Sequence, residues 1–107
     1  MKLLGTEYKI KLIKEPDEYM KKHNLIGVCD YDLMEIKVCE NWYGDITGKR
    51  TVNSIQNTLL HELAHMFLYE TGQDNLNDER HAELLSKFSK FIINNIEEIK
   101  MIVLGRE

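Results

Sequence analysis

Proline and glycine are scarce in this sequence, with one proline and six glycines among 107 residues. That scarcity excludes collagen-like and low-complexity chains, and a hydrophobic content of 43% excludes intrinsic disorder. A basic excess is also missing, because 14 lysines and arginines face 18 aspartates and glutamates, for a net charge of −4. We therefore expect no nucleic-acid partner. No apolar run approaches the roughly 18–20 residues that a membrane span needs, so we expect no membrane partner either.

Cysteine is limited to Cys29 and Cys39, which form no Cys-x-x-Cys pattern. The pattern disfavours a cysteine-based zinc site. It is typical of reduced thiols in a cytosolic protein, with a disulfide across a hairpin as the alternative. Residues 1–11 turn polar after two leucines and so lack the apolar core of a signal peptide. These features predict a cytoplasmic location.

The length fits a single domain, residues 1–107, with one modest hydrophobic core. In the first half, apolar and polar side chains alternate in short runs, a pattern typical of strands. The pattern predicts a strand at residues 6–13, a short helix at 18–23, a hairpin that pairs 25–31 with 34–40, and a loop at 41–53.

The second half predicts two helices. Residues 54–70 are apolar on nearly all sides, which indicates a buried helix, and Thr71-Gly72 is a suitable end. Asn77 has a side chain suited to cap a second helix that runs to about residue 101. That helix carries an apolar stripe formed by Leu84, Leu85, Phe88, Phe91, Ile92, Ile96 and Ile99. The order of elements predicts an α+β fold in which a small antiparallel or mixed sheet of about three strands packs against both helices.

The strongest functional pattern is His61-Glu62-Leu63-Ala64-His65, an HExxH motif inside the first long helix. Residues four apart share one face of a helix, with side chains about 5–6 Å apart. His61 and His65 can therefore both present a ring nitrogen to one Zn²⁺ ion at about 2.0–2.1 Å. Glu62 is turned away from that pair and can accept a proton from a zinc-bound water, whose pKa the metal lowers to about 7. The motif predicts a zinc cofactor and Glu62 as the catalytic base.

A catalytic zinc needs a third protein ligand and an open fourth position. Residue 71 is Thr, so the third histidine of the metzincin pattern is absent. The start of the second helix then supplies the candidates Asp78, Glu79, His81 and Glu83, and the ligand is assigned among the last three. Glu79 and Glu83 share one side of that helix beside a row of small residues, whereas His81 lies with the apolar stripe. Glu79 is the preferred ligand. In that case Glu83 can accept a hydrogen bond from a ligand imidazole.

The same residues resemble a known family. The order of motifs in the second half is similar to that of small gluzincin-type zinc metallopeptidases. It consists of Thr58-Leu-Leu-His61-Glu62-Leu-Ala-His65, then Thr71-Gly72, a polar loop, and Asn77-Asp78-Glu79-Arg-His-Ala82-Glu83. The ImmA/IrrE-like proteins and related phage- or prophage-borne metallopeptidases are the most similar group. Residues 27–38 also resemble the segment that those proteins place before the motif helix.

The resemblance spans about residues 25–93 and implies a zincin-like fold. It also implies that the Glu of the Glu-x-x-Ala element is the third zinc ligand, and this Glu corresponds to Glu79. The chain departs from the family at Glu83, where ImmA-like sequences commonly carry Asn, and in the short gap between His65 and Glu79.

The activity that the resemblance implies is zinc-dependent hydrolysis of a peptide bond in a protein or peptide substrate held along an edge strand. Residues 34–40 can supply that edge or form an ordinary hairpin strand. Donors that can stabilise the tetrahedral intermediate are Tyr31, Trp42, Tyr43 and His81. Lys49-Arg50 is expected to be a solvated pair, with contact to a substrate carboxylate as the alternative.

Two other classes of protein fit the same residues. A zinc-binding interaction module would hold the metal as a structural clip in a closed four-ligand site and would cleave nothing. A metal-free helical scaffold would keep His61 and His65 as a structural pair, whose ring nitrogens would then need buried hydrogen-bond partners. The number of protein ligands on the metal distinguishes the interaction module from an enzyme. The metal content of the protein distinguishes the metal-free scaffold from both.

Overall fold

The computed structural model describes residues 1–105, which form seven short strands and three α-helices. The strands are β1 (Lys2–Leu3), β2 (Thr6–Glu7), β3 (Lys9–Ile13), β4 (Gly27–Asp30), β5 (Glu35–Cys39), β6 (Asn41–Trp42) and β7 (Gly48–Lys49). The helices are α1 (Glu18–His23), α2 (Val52–Glu70) and α3 (Glu79–Gly105), and a 3₁₀ turn, Asp74–Leu76, precedes α3. The predicted α+β class, with a small sheet and a long C-terminal helix, is confirmed. Residues 106–107 of the predicted domain lie outside the described residues.

The central sheet has three strands in the order β3–β5–β4. β4 runs antiparallel to β5, with Cys29 opposite Ile36, as the predicted hairpin requires. β3 pairs with β5 in parallel, with Ile10 opposite Ile36, because the chain crosses over through α1 between β3 and β4. The sheet is therefore mixed and β5 lies in its centre. Of the two interpretations of residues 34–40, the ordinary hairpin strand is confirmed and the free edge is wrong, because both sides of β5 are already paired.

The hydrophobic core lies between this sheet and α2. Its buried centre consists of Tyr8, Ile36, Val38 and Met66, and several half-buried side chains of α2 and the sheet pack around it, namely Ile10, Cys29, Ile55, Leu59 and Leu63. Each large apolar side chain contributes about 1.5–3 kcal/mol when it is fully buried. Tyr8 also satisfies its polar end, since its hydroxyl donates to Glu70 Oε1 at 2.6 Å. The core holds one side of α2 on the sheet and leaves the opposite side for α3.

The segment before α2 is more ordered than a loop. β6 and β7 pair as a small antiparallel hairpin inside residues 41–53. α2 begins at Val52, two residues earlier than predicted, because Thr51 caps it. The Thr51 Oγ1 accepts a hydrogen bond from the Ser54 amide at 3.1 Å, which satisfies one of the free N–H groups of the first turn.

Arg50 corrects the expectation of a solvated Lys49-Arg50 pair. Lys49 is exposed, but Arg50 is only 3% exposed. Its guanidinium lies 4.7 Å from the centroid of the Trp42 ring and donates to the Cys39 carbonyl at 2.9 Å. It also donates to the hydroxyl of Thr58 on α2. The terminal nitrogens Nη1 and Nη2 thus meet carbonyl and hydroxyl oxygens, whereas Nε is buried without a partner among the described residues. These hydrogen bonds tie the sheet to α2.

The start of α3 differs from the prediction by one residue. Asp78 caps the helix, because its Oδ1 accepts a hydrogen bond from the His81 amide at 2.8 Å. The predicted cap, Asn77, is wrong because the Asn77 side chain is held by Tyr31 and His65 instead. The helix continues to Gly105, four residues past the predicted end.

The apolar stripe of α3 does not enter the core. α3 packs on α2 through Ala82 and Ser86, which are both buried. Leu84 and Phe88, by contrast, are 66% and 61% exposed. Among the described residues, none of the helices combines the length and the apolar character of a membrane-crossing segment.

Both cysteines are free thiols, and their chemistry is testable. Burial raises the pKa of the Cys29 thiol to about 12, and it also raises the pKa of the Cys39 thiol. A thiolate forms only as the pH approaches the pKa, so at pH 8 about one molecule in 10⁴ carries the Cys29 thiolate. We expect a chromogenic disulfide reagent to leave the native protein unmodified over minutes and to titrate two thiols after unfolding. Rapid reaction of either thiol in the native protein would contradict this burial.

Candidate metal centre

His61 and His65 lie one turn apart on the side of α2 that faces α3. Their ring centroids are 4.9 Å apart and the ring planes meet at 73°. This pairing follows from the spacing of four residues within an unbroken helix. Leu59 and Leu63, on other sides of α2, pack against the core and so fix the rotation of the helix. Both imidazoles are partly buried and face the same small volume.

Glu79, the first residue of α3, places its carboxylate between the two rings. Its Oε2 lies 2.8 Å from His61 Nε2, and its Oε1 lies 3.1 Å from His65 Nε2. One ligand atom from each of the three residues lies within 4.8 Å of the other two. Ala82, one turn further along α3, is fully buried, and its small side chain allows the two helices to approach closely. Of the three candidate third ligands, Glu79 is the one that lies between the histidines.

Each imidazole is also held from its far side by a polar side chain. Glu83 Oε2 lies 2.9 Å from His61 Nδ1, and Asn77 Oδ1 lies 2.6 Å from His65 Nδ1. When Nδ1–H donates outward, the lone pair of Nε2 is directed inward. The two Nε2 atoms and the Glu79 carboxylate therefore form a nitrogen and oxygen donor set of the kind that binds Zn²⁺.

The charges around His61 favour a positive centre. Burial acts to lower the pKa of His61, but hydrogen bonds to Glu79 and Glu83 outweigh burial and raise that pKa above its usual value. A ring nitrogen that faces a carboxylate is satisfied either by a proton or by a cation. The cluster therefore attracts positive charge to the point where the two rings meet Glu79.

Glu62 lies on the adjacent side of α2, against β4. It is 9% exposed, and burial raises the pKa of its carboxyl, against the opposing effect of His61 and His65. Its carboxylate accepts no hydrogen bond from the described residues. The close contact with β4 exists because residue 27 is Gly: a Cβ there would lie 3.2 Å from Glu62 Oε2 and 2.5 Å from Thr58 Cγ2.

A cleft of about 870 Å³ opens beside these residues. β4 and the turn before it form one wall, α2 forms the floor with His61, Glu62 and His65, and α3 forms the other wall with Glu79, Glu83 and Lys90. β4 pairs with β5 on one side only, so its other edge faces the cleft. The free strand edge at the candidate site is thus β4, and not residues 34–40.

The four side chains predicted as donors to the tetrahedral intermediate lie in different parts of the structure. Tyr31 lines the cleft, its hydroxyl accepts from Asn77 Nδ2 at 2.9 Å, and its ring stacks on Tyr69 at 4.2 Å. Burial raises the pKa of Tyr31, so its hydroxyl keeps its proton at neutral pH. Tyr43 lies elsewhere, within 2.8 Å of the Met20 carbonyl.

Trp42 and His81 are also outside the cleft. Trp42 lies under the Arg50 guanidinium. His81 Nδ1 lies 2.8 Å from Asp78 Oδ1, on another side of α3 from Glu79. His81 therefore lies with the N-terminal cap of α3, outside the cluster of His61, His65 and Glu79.

Sequence reasoning missed Asn77 and Gly27. Asn77 and Asp78 are adjacent, and either side chain can cap a helix, but only one of them does. The sequence therefore indicated that the other side chain could form a hydrogen bond elsewhere, as Asn77 does. Gly27 had no local signal, because its role depends on the distance between β4 and α2.

Comparisons with known proteins do not assign this chain to a family, because no family model, curated protein or solved structure matches it. The fold and the cluster define an α+β protein with a candidate metal centre, and the functional argument rests on its own residues.

The contact at Gly27 generates a prediction about stability. We expect Gly27→Ala to lower the free energy of unfolding by about 1–3 kcal/mol, because the added methyl group collides with the stiff side chain of Thr58. Chemical denaturation measures this change. Gly105→Ala is the matched control, since a Cβ at residue 105 meets no atom within 4 Å. Equal stability of Gly27→Ala and wild type would contradict the close packing of β4 on α2.

Proposed function

We propose that this chain is a zinc-dependent metallopeptidase of the gluzincin type with a zincin-like fold. The observation that carries the proposal is the meeting of His61 Nε2, His65 Nε2 and the Glu79 carboxylate at one point beside a cleft. Two histidines one turn apart on one helix and an acidic residue from the next helix are the donors that such an enzyme requires. The two free thiols also fit a reducing, cytoplasmic environment.

Three ligands from the chain leave a fourth coordination position for water or substrate. In that role, a bound Zn²⁺ ion would supply a Lewis acid that lowers the pKa of a coordinated water to about 7. His61, His65 and Glu79 would hold the ion. Glu83 and Asn77 would keep the rings of His61 and His65 in the tautomer that offers Nε2 inward.

Glu62 is suited to move the proton in this reaction. It follows His61 directly on α2, is buried, and borders the cleft. Because burial raises the pKa of its carboxyl, the carboxylate is a stronger base than a solvated glutamate. A Glu62 oxygen would accept the proton of the attacking water and then deliver it to the leaving amine.

The free edge of β4 supports a peptide substrate. An extended peptide can add to β4 as a further strand through backbone hydrogen bonds, and this places it in the cleft above Glu62. Tyr31, at the end of β4, offers a phenol O–H toward the same space and can stabilise the oxyanion of the tetrahedral intermediate.

The alternative of a structural zinc clip is less well supported. A closed site needs a fourth protein ligand near the cluster. His81 is turned to Asp78, and Glu83 contacts the outward Nδ1 of His61. Within the described residues, neither of these side chains completes the coordination.

The catalytic role of Glu62 is tested by Glu62→Gln. We expect this variant to keep zinc and to lose hydrolysis by about 10²–10⁴-fold, because the amide cannot accept the proton. The measurement is cleavage of a diverse peptide mixture by zinc-loaded protein, followed by mass spectrometry. Glu18→Gln, on exposed α1, is the matched control and is expected to cleave like wild type.

Metal content gives the second arm of this test. We expect His61→Ala and His65→Ala to lose the zinc that wild type and Glu62→Gln retain after expression with added zinc. Wild-type protein without zinc would end the metallopeptidase proposal. Zinc-loaded wild type that cleaves no peptide would instead favour the structural clip.

The contact between Asn77 and His65 generates a further prediction. We expect Asn77→Ala to weaken zinc binding by about 10–100-fold, because the His65 ring loses the acceptor that orients it. Competition with a chelator measures the affinity, and thermal melting of each variant reports its stability. Asn94→Ala, at an exposed position of α3, is the control. An unchanged affinity in Asn77→Ala would contradict the orienting role.

A further inference from the structure

The C-terminal helix α3 turns its apolar face away from the rest of the chain. Its contact with α2 is made by small residues, Ala82 and Ser86, which are buried. Successive residues of a helix are rotated by about 100°, so the apolar stripe lies roughly 150° around α3 from this contact. The exposed members of the stripe are Leu84, Phe88, Phe91 and Ile96, and the exposed residues Ile102 and Val103 extend the same face toward the end of the helix.

The second half of α3 extends beyond α2. With 27 residues α3 is about 40 Å long, whereas the 19 residues of α2 span about 28 Å. Lys90 lies opposite the start of α2, where its ammonium contacts the side chains of Asn53 and Asn57. Residues 91–105 therefore project past α2, and in this segment no described side chain is fully buried.

This apolar face is too large for an isolated surface. Five of the six exposed side chains are more than half exposed, and together the six expose roughly 600–700 Å², above the roughly 300–600 Å² of the largest apolar patch on a typical monomer. Each partner in a stable protein interface buries roughly 600–1,000 Å². The face is thus of the size that one partner covers.

We propose that a second copy of this chain covers the apolar face, with the two α3 helices packed antiparallel about a two-fold axis between residues 93 and 94. This register places apolar residues opposite apolar residues: Leu84 opposite the partner's Val103, Phe88 opposite the partner's Ile99, and Phe91 opposite the partner's Ile96. The projecting half of each helix packs on the half that α2 supports in the other copy. A two-fold interface requires a self-complementary surface, and this pattern provides one.

The charges beside the stripe select the antiparallel arrangement. Lys87 and Glu98 lie on the same flank of the apolar face. An antiparallel pair brings Lys87 near the partner's Glu98, twice in each dimer. In a parallel two-fold pair, the flanks that carry Lys87 and Glu98 lie on opposite sides of the interface, so neither charge meets the other there. α2 lies on the opposite side of each α3, so it does not obstruct the pairing.

Sedimentation equilibrium of the full chain tests the dimer. We expect twice the monomer mass of 12.6 kDa at about 100 μM, a concentration well above a micromolar dissociation constant. We expect Phe88→Glu to raise the dissociation constant at least tenfold, because it buries a charge at the interface. Val52→Glu is the matched control, since Val52 is an exposed apolar residue outside α3 and its substitution leaves the dimer intact. Circular dichroism checks that each variant keeps its helices.

Charge reversal tests the register independently of Phe88. We expect Lys87→Glu and Glu98→Lys each to weaken the dimer several-fold, since each creates two like-charge contacts. The double variant, Lys87→Glu with Glu98→Lys, is expected to recover wild-type affinity. A wild-type monomer at every concentration would overturn the proposal and assign the face to a different partner. A dimer unaffected by Phe88→Glu, or a double variant weaker than both single variants, would overturn this interface.

Discussion

The close approach of α3 to α2 is the contact on which the candidate site depends. Ala82 and Ser86 remove the bulk that would keep the two helices apart, and Glu79 can then reach both imidazoles at once. An isolated HExxH helix carries two histidines without a third donor. The two small side chains set the distance between α2 and α3, and this distance allows Glu79 of α3 to join the two histidines of α2 in one cluster.

The sheet controls the other side of α2. Arg50 ties the end of β5 to the first turns of the helix, and Gly27 lets β4 lie directly against Glu62. The backbone of an edge strand therefore holds Glu62 in a buried position at the wall of the cleft. The wall that buries Glu62 is also the strand edge on which the proposed peptide substrate would lie.

The parts of this structure that were predictable from sequence are those that local chemistry determines. The histidine spacing, the two long helices and the β4–β5 hairpin follow from periodicity over a few residues. The central place of β5 depends on a parallel pairing with β3, which no local pattern encodes. The buried Arg50 looked like a loop residue because its acceptors come from Cys39 and α2. The sheet was expected to pack against both helices, but α3 packs mainly on α2, because an apolar face predicts burial and does not identify the element that buries it.

Tyr31, Asn77 and His65 form a short hydrogen-bonded chain from the end of β4 to the candidate centre. Asn77 is held at both ends, and Tyr31 is further clamped by its stack on Tyr69. Because β4 leads directly into Tyr31, a single amide side chain links the end of this edge strand to the imidazole of His65, and the strand thereby helps to fix the orientation of a ring in the cluster.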